Sequence, residues 1–210
     1  MAVPRRGNGF VEDEEEDEGL FDNEEDEEMG WVDLEPSPHP PHLRALAEAA
    51  QLGNLEALRL ALDNLRDGSL NDVVEDGDTV LHLSCLYGYK SCVQLLLERG
   101  ASLEVKDEEG AIPLHDACAG GFTEIVELLL GAADNPDCVK RMLDTVDVES
   151  DTPLHHAARG EHLGVVRLLL AAGADPRKAN IYGKTPAELS DPETEVRSVL
   201  EAATTTNAMA

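Results

Sequence analysis

Four short strings recur along the 210-residue chain, and no other feature limits its fold so severely. They are Thr79-Val80-Leu81-His82, Ile112-Pro113-Leu114-His115, Thr152-Pro153-Leu154-His155 and Thr185-Pro186-Ala187-Glu188, spaced by 33, 40 and 33 residues. Three of them precede an aliphatic segment of helical period: Val93 to Leu97, Ile125 to Leu130 and Val165 to Leu170. Gly100-Ala101 and Gly173-Ala174 follow two of those segments as glycine C-caps. Turn-forming residues stand ahead of the strings, in Glu75-Asp76-Gly77, Asp107-Glu108-Glu109-Gly110 and Asn180-Ile181-Tyr182-Gly183. A unit this short cannot bury its own apolar face. Copies must therefore stack, and the two end copies must differ from the rest.

In these strings the chain resembles the ankyrin-repeat family, whose unit is a β-turn followed by a helix-turn-helix. The resemblance covers about residues 42–203 and implies an all-α solenoid of about five repeats. An opening unit from Leu43 to Leu65 lacks the string, but its Ala49-Ala50-Gln51-Leu52-Gly53 aligns with Ala117-Cys118-Ala119-Gly120-Gly121. It reads as the N-terminal cap, with Leu58, Leu60 and Leu62 on its second helix. The unit from Asn180, ending in Val196, Val199 and Leu200, reads as the C-terminal cap. The expected boundaries are an acidic, disordered extension with a proline-rich spacer at 1–41, the array at 42–203 and a disordered tail at 204–210.

Thr at the head of a string can cap the first helix through its hydroxyl, and Pro suits the first helical position. Ile112 forfeits that hydroxyl, a loss of about 1 kcal/mol. Ser150 stands where a turn glycine is expected. The spacing of 40 places seven extra residues between Leu130 and Thr152, with Asn135-Pro136-Asp137 starting a short helix over Cys138 to Leu143. That insertion reads either as a tolerated loop or as a partner-contact loop. Leu128 and Leu168 are expected in the core.

Charge is distributed unevenly. The formal net charge is -28, from 44 acids against 16 Lys and Arg. Residues 12–28 alone hold 13 acids and no base: Glu12, Asp13, Glu14, Glu15, Glu16, Asp17, Glu18, Asp22, Glu24, Glu25, Asp26, Glu27 and Glu28. Such a run repels itself and is expected to be disordered. It is interrupted by Leu20 and Phe21 and followed by Trp31, the one tryptophan, then by Pro36, Pro38, Pro40 and Pro41. So acidic a chain disfavours direct binding of nucleic acid or an anionic membrane. No secretory h-region opens it. Four sparse cysteines suit reduced thiols, hence a cytoplasmic or nuclear protein, and the repeat array is expected to be monomeric.

No arrangement of residues suits catalysis, a cofactor or a metal. His82, His115 and His155 share one repeat position. The resemblance implies that these rings tie adjacent turns together by hydrogen bonds to backbone. His155, His156 and His162 lack Cys or carboxylate partners at ligand spacing. Ala119-Gly120-Gly121 is the turn between two helices and not a phosphate loop, and Cys85 and Cys118 are expected in the core. The remaining reading is recognition of another protein. By resemblance, partners bind the concave side, made of turn tips and first helices. The matching first-helix positions are Leu83, Leu86 and Tyr87, then Asp116 and Ala119, then His156 and Arg159. The tips add Glu75, Asp76, Asp78, Lys106, Glu108, Glu109, Glu149, Asp151, Tyr182 and Lys184. Leu83, Leu86 and Tyr87 are expected to form an exposed apolar patch. Two uses fit: a protein-interaction adaptor or scaffold, or an acidic escort for a very basic client such as a ribosomal protein or histone.

Overall fold

The computed structural model describes residues 40–65, 70–74 and 77–206, so the acidic run, Trp31, Glu75 and Asp76 lie outside the described residues. The described residues form helices joined by turns and contain no strand. Five helix pairs stand in order: α1 (Pro41–Gln51) with α2 (Leu55–Asp63), α3 (Val80–Leu86) with α4 (Lys90–Glu98), α5 (Pro113–Ala119) with α6 (Thr123–Gly131), α8 (Pro153–Arg159) with α9 (Leu163–Ala171), and α10 (Pro186–Leu189) with α11 (Glu195–Thr206). A further helix, α7 (Pro136–Asp144), separates the third pair from the fourth. First helices pack on first helices in the order α1, α3, α5, α8, α10, and second helices form a parallel row α2, α4, α6, α9, α11. Helix α11 continues to Thr206, which corrects the expected boundary: the first three residues of the supposed tail are helical.

Each second helix buries an apolar stripe at helical spacing: Val93 and Leu96 in α4, Val126 and Leu129 in α6, Val166 and Leu169 in α9. Leu128 and Leu168 point one position off this stripe and are only half-buried, so the fully enclosed leucines are their neighbours Leu129 and Leu169. The same geometry turns Leu60 outward, opposite Leu58 and Leu62. First helices present small residues, Ala117, Cys118, Ala157 and Ala158, all wholly buried where adjacent helices meet. All four cysteines are buried and free.

Helix ends follow from backbone accounting. In α4 the Ala101 N–H reaches Leu96 O at 3.0 Å and the Gly100 N–H reaches Leu97 O at 3.0 Å, with Gly100 at φ 85°. Helix α9 ends the same way at Gly173 and Ala174. These are Schellman closures, which satisfy carbonyls that the helix leaves open. Between paired helices, a ring from the next repeat covers a glycine of the one before. Tyr89 lies on Gly53, Phe122 on Gly88 and His162 on Gly121, so close that a Cβ would fall 2.4–2.5 Å from the ring.

The insertion is neither a loose loop nor a detached arm. Asn135 caps α7 by accepting the Cys138 N–H at 2.9 Å, and Pro136 takes the first helical position. Cys138, Met142 and Leu143 then join the core, while Arg141 clasps Glu104 of the preceding repeat through two hydrogen bonds at 2.8 and 3.0 Å. At the C-terminal end, α10 stops after one turn, before Asp191-Pro192, where the residue preceding proline disfavours helix.

Replacing Leu129 by Ala is expected to cost about 2–5 kcal/mol. Because each repeat touches only its neighbours, hydrogen exchange should rise first in α5 to α9, with α1 and α11 affected last. Uniform loss of protection across the array would contradict this.

Candidate functional site: turn tips and first helices

Three histidines set the spacing of this face. The Nδ1 atoms of His82, His115 and His155 accept the backbone N–H of Thr79, Ile112 and Thr152 at 3.2, 3.1 and 3.1 Å. Each Nε2 then faces a carbonyl of the following repeat: Ala111 O at 3.4 Å, Asp151 O at 3.3 Å and Lys184 O at 3.2 Å. This fixes the neutral Nε2–H tautomer. The Thr79 and Thr152 hydroxyls meet the same Nδ1, at 2.9 and 2.8 Å, and the ring holds the backbone N–H of the residue that opens each helix. Ile112 therefore keeps its backbone cap despite lacking a hydroxyl.

Ahead of each string the backbone closes a turn, from Val74 N to Asp78 O, Asp107 N to Ala111 O, Asp147 N to Asp151 O and Asn180 N to Lys184 O, at 2.8–3.1 Å. In three of these turns the first side chain reinforces the bend. Asp107 accepts the Ala111 N–H, Asp147 those of Glu149 and Asp151, and Asn180 those of Tyr182 and Lys184. Adjacent tips are joined by Val148 N to Glu109 O and Ile181 N to Glu149 O at 2.8 and 3.0 Å. Asp147 was missed as a tip residue and Asp107 was read only as turn-forming; an Asp or Asn five residues before three of the four strings was the signal. Ser150, at φ 60°, adopts the left-handed backbone of the missing glycine. Ser150→Gly should raise stability by about 1 kcal/mol, measurable by denaturant unfolding.

The expected patch needs one correction. Leu83 is 3% exposed and belongs to the core, whereas Leu86 and Tyr87 are 45% and 48% exposed. Leu83 stands one turn earlier on α3, and its register partners Asp116 and His156 are likewise largely enclosed between neighbouring first helices. Ala119, Arg159, Lys106, Tyr182 and Lys184 are all exposed. Lys106 and Tyr182 are not free arms: Lys106 Nζ donates to Val146 O at 3.2 Å, and the Tyr182 hydroxyl donates to Glu149 at 3.3 Å.

Two neighbouring parts of this face differ in electrostatics. Around α8 the charges are matched: His156 meets Asp147 at 2.8 Å, Arg159 pairs with the wholly buried Asp151, and Asn180 donates to Asp151 at 2.8 Å. Burial pushes the Asp147 carboxyl up, but the bond from His156 and the Asp151 and Glu149 amides outweigh it and hold the group below its ordinary value. Around α5, Asp116 lacks such a match. Burial, together with Asp78, Asp107 and Glu109, pushes Asp116 up to about 8. Its Oδ2 is buried with no hydrogen-bond partner among the described residues.

Carboxylates and imidazoles converge in two places, Asp78, His82 and Asp107, and Asp147, Asp151 and His156. In each the imidazole is already engaged, His82 with the Thr79 and Ala111 backbones and His156 with Asp147. His155, His156 and His162 point to separate partners, Lys184 O, Asp147 and Ala119 O. Burial raises the Cys85 and Cys118 thiols well above their ordinary values, so neither is a ready nucleophile.

Stacked helix pairs with variable, solvent-facing tips define a repeat scaffold for binding proteins. The family model described as ankyrin repeats (3 copies) matches residues 46–137 and 131–180, and the chain belongs to the ankyrin-repeat family. Members of that family are typically non-enzymatic modules that mediate protein–protein interactions. No curated protein matches the chain. No helix among the described residues is long and apolar enough to cross a membrane.

Stability should depend on pH with opposed contributions. Burial and the neighbouring His156 ring lower His115 to about 4, and burial lowers His82 and His155 as well. Below about pH 6.5 the unfolded chain takes up protons that the native rings refuse, so this stability is present above 6.5 and lost as pH falls. For His115 alone the loss is about 3 kcal/mol once pH reaches its folded value. Asp116 has the opposite sign: its raised value favours the native state in acid and costs stability as pH rises from about 4 to 8. Asp116→Asn should therefore stabilise the array at pH 8 by about 2 kcal/mol or more and steepen the decline below pH 6.5. Unfolding curves from pH 5 to 8.5 test both signs.

Proposed function

We propose that the chain is a non-enzymatic adaptor that holds another protein on the face built from turn tips and first helices. The observation that carries this reading is the exposure, on that one face, of large side chains that the array's own packing does not require: Leu86 and Tyr87 on α3, and Val148, Ile181 and Tyr182 on the tips. Aromatic and aliphatic groups presented on a rigid, backbone-tied frame suit anchoring of a partner at little conformational cost. The residues around them, Asp116, Ala119, His156, Arg159, Lys106 and Lys184, supply the candidate rim.

The second reading is an acidic escort for a very basic client, supported by the net charge of -28. The run from Glu12 to Glu28 would speed encounter with such a client, and Trp31 would add an apolar anchor. A cytoplasmic or nuclear site and a monomeric state belong to both readings. Chemical cross-linking of the full chain in gentle extracts, with peptide mapping, tests the shared part. Cross-links should fall on α3, α5, α8 and the tips, and Tyr87→Glu with Tyr182→Glu should weaken capture about tenfold or more, while Glu127→Lys on α6 should not. Contacts confined to the second helices would overturn the proposal. The captured protein separates the two uses: a basic, nucleic-acid-binding client indicates an escort, and a neutral one an adaptor.

A further inference from the structure

The stretch of this face between α3 and α5 has features that specify the kind of partner. At the end of α3, Leu86 and Tyr87 are about half exposed, and Tyr87 stacks on Tyr89 with ring centroids 6.2 Å apart. At the same register on α5 stand Ala119 and Gly120, exposed and small, leaving room for a side chain beside the α3 pair. One turn earlier on α5 is Asp116, whose ionisation is opposed by burial and by Asp78, Asp107 and Glu109.

The next repeat shows how the molecule meets such carboxylates when it does so internally. There the register position of Asp116 is His156, which meets Asp147, and that of Ala119 is Arg159, which meets Asp151. Helix α5 supplies neither cation. Lys106, the basic residue in its turn, is bonded to Val146 O. Asp116 Oδ2 is thus a buried acceptor without a partner among the described residues, a state costly to maintain. An incoming guanidinium or ammonium would supply what His156 and Arg159 supply one repeat later.

Resting on the adaptor reading above, we propose that the α3–α5 stretch binds a basic amphipathic segment of another protein. Leu86 and Tyr87 take an apolar side chain of that segment over Ala119 and Gly120. Asp116, Asp78, Asp107 and Glu109 take a flanking Arg or Lys. The Tyr87 face gives an arginine a second favourable surface. Phosphate-bearing partners are repelled by the same carboxylates.

The test uses full-length protein and three synthetic peptides: alternating Arg and Leu, alternating Glu and Leu, and Arg alone. Amide chemical shifts in the presence of the Arg–Leu peptide should change around Leu86, Tyr87, Asp116 and Ala119. Tyr87→Ser, and separately Glu109→Lys with Asp116→Asn, should each weaken its binding about tenfold or more. The Glu–Leu peptide should not bind, and Arg alone should bind more weakly and with steeper salt dependence. A variant with residues 12–28 neutralised, measured in parallel, should keep the shift changes on α3 and α5. The proposal fails if that neutralisation abolishes binding while the α3 and α5 variants leave it unchanged, or if the changes fall on α4 and α6. A natural partner cross-linked only to α8, Ile181 and Tyr182, with no basic residue in its contact, would sink this inference and leave the adaptor reading standing. Cross-links confined to the second helices would sink both.

Discussion

Everything on the face of turn tips and first helices hangs from one neutral imidazole in each of the three central repeats. His82, His115 and His155 each accept a backbone N–H of their own repeat and face a carbonyl of the next. One ring thus starts a helix and sets the distance to the following turn. A protonated ring could not accept at Nδ1, so burial, which keeps the rings neutral, is part of the device. The series ends where it should. The last string carries Glu188, whose carboxylate accepts the Thr185 N–H at 2.9 Å but has no proton to pass onward. Among the described residues no further turn follows to receive a bond, so an acceptor-only cap suffices, and Glu188 is exposed.

Much of this was legible in the residues because the repeat is redundant. A period seen several times places helices, turns and histidines with little ambiguity, and Asn-Pro-Asp marked the start of α7 to within two residues. The failures came where register against a neighbour, and not the chain's own pattern, decides the outcome. Leu83 looks like Leu86 in sequence, but only the later residue clears the flanking first helices. Leu128 and Leu168 sit in runs of three leucines, where helical period cannot say which member faces inward. None of these outcomes follows from one repeat considered alone, because each depends on where the adjacent copy lies.

The cations are spent mainly away from the face of turn tips and first helices. Arg99 with Asp63, Lys90 with Glu124 and Arg167 with Glu195 join successive second helices, and Arg141 with Glu104 and Lys178 with Asp144 fasten the inserted helix. Exposed pairs of this kind contribute about 0–1 kcal/mol each, so their main consequence lies in where charge is left over. No such cation reaches Asp116 on α5, whose Oδ2 has no hydrogen-bond partner among the described residues.

That lack sets stability against recognition at a single residue. Asp116 occupies a position that leucine fills on α3 and histidine fills on α8, and either substitute is satisfied by its surroundings. The carboxylate is satisfied by neither burial nor neighbours, so it weakens the free array. Local choices that oppose the fold while every surrounding device supports it tend to mark functional positions. The cost would be recovered when a partner brings the missing cation, which favours the ionised carboxyl that burial opposes and adds to the apolar contact at Leu86 and Tyr87. Selectivity follows from the same arrangement. A neutral or acidic segment could still touch the tyrosine and leucine, but it would enclose Asp116 further without pairing it, and that penalty discriminates against such a segment.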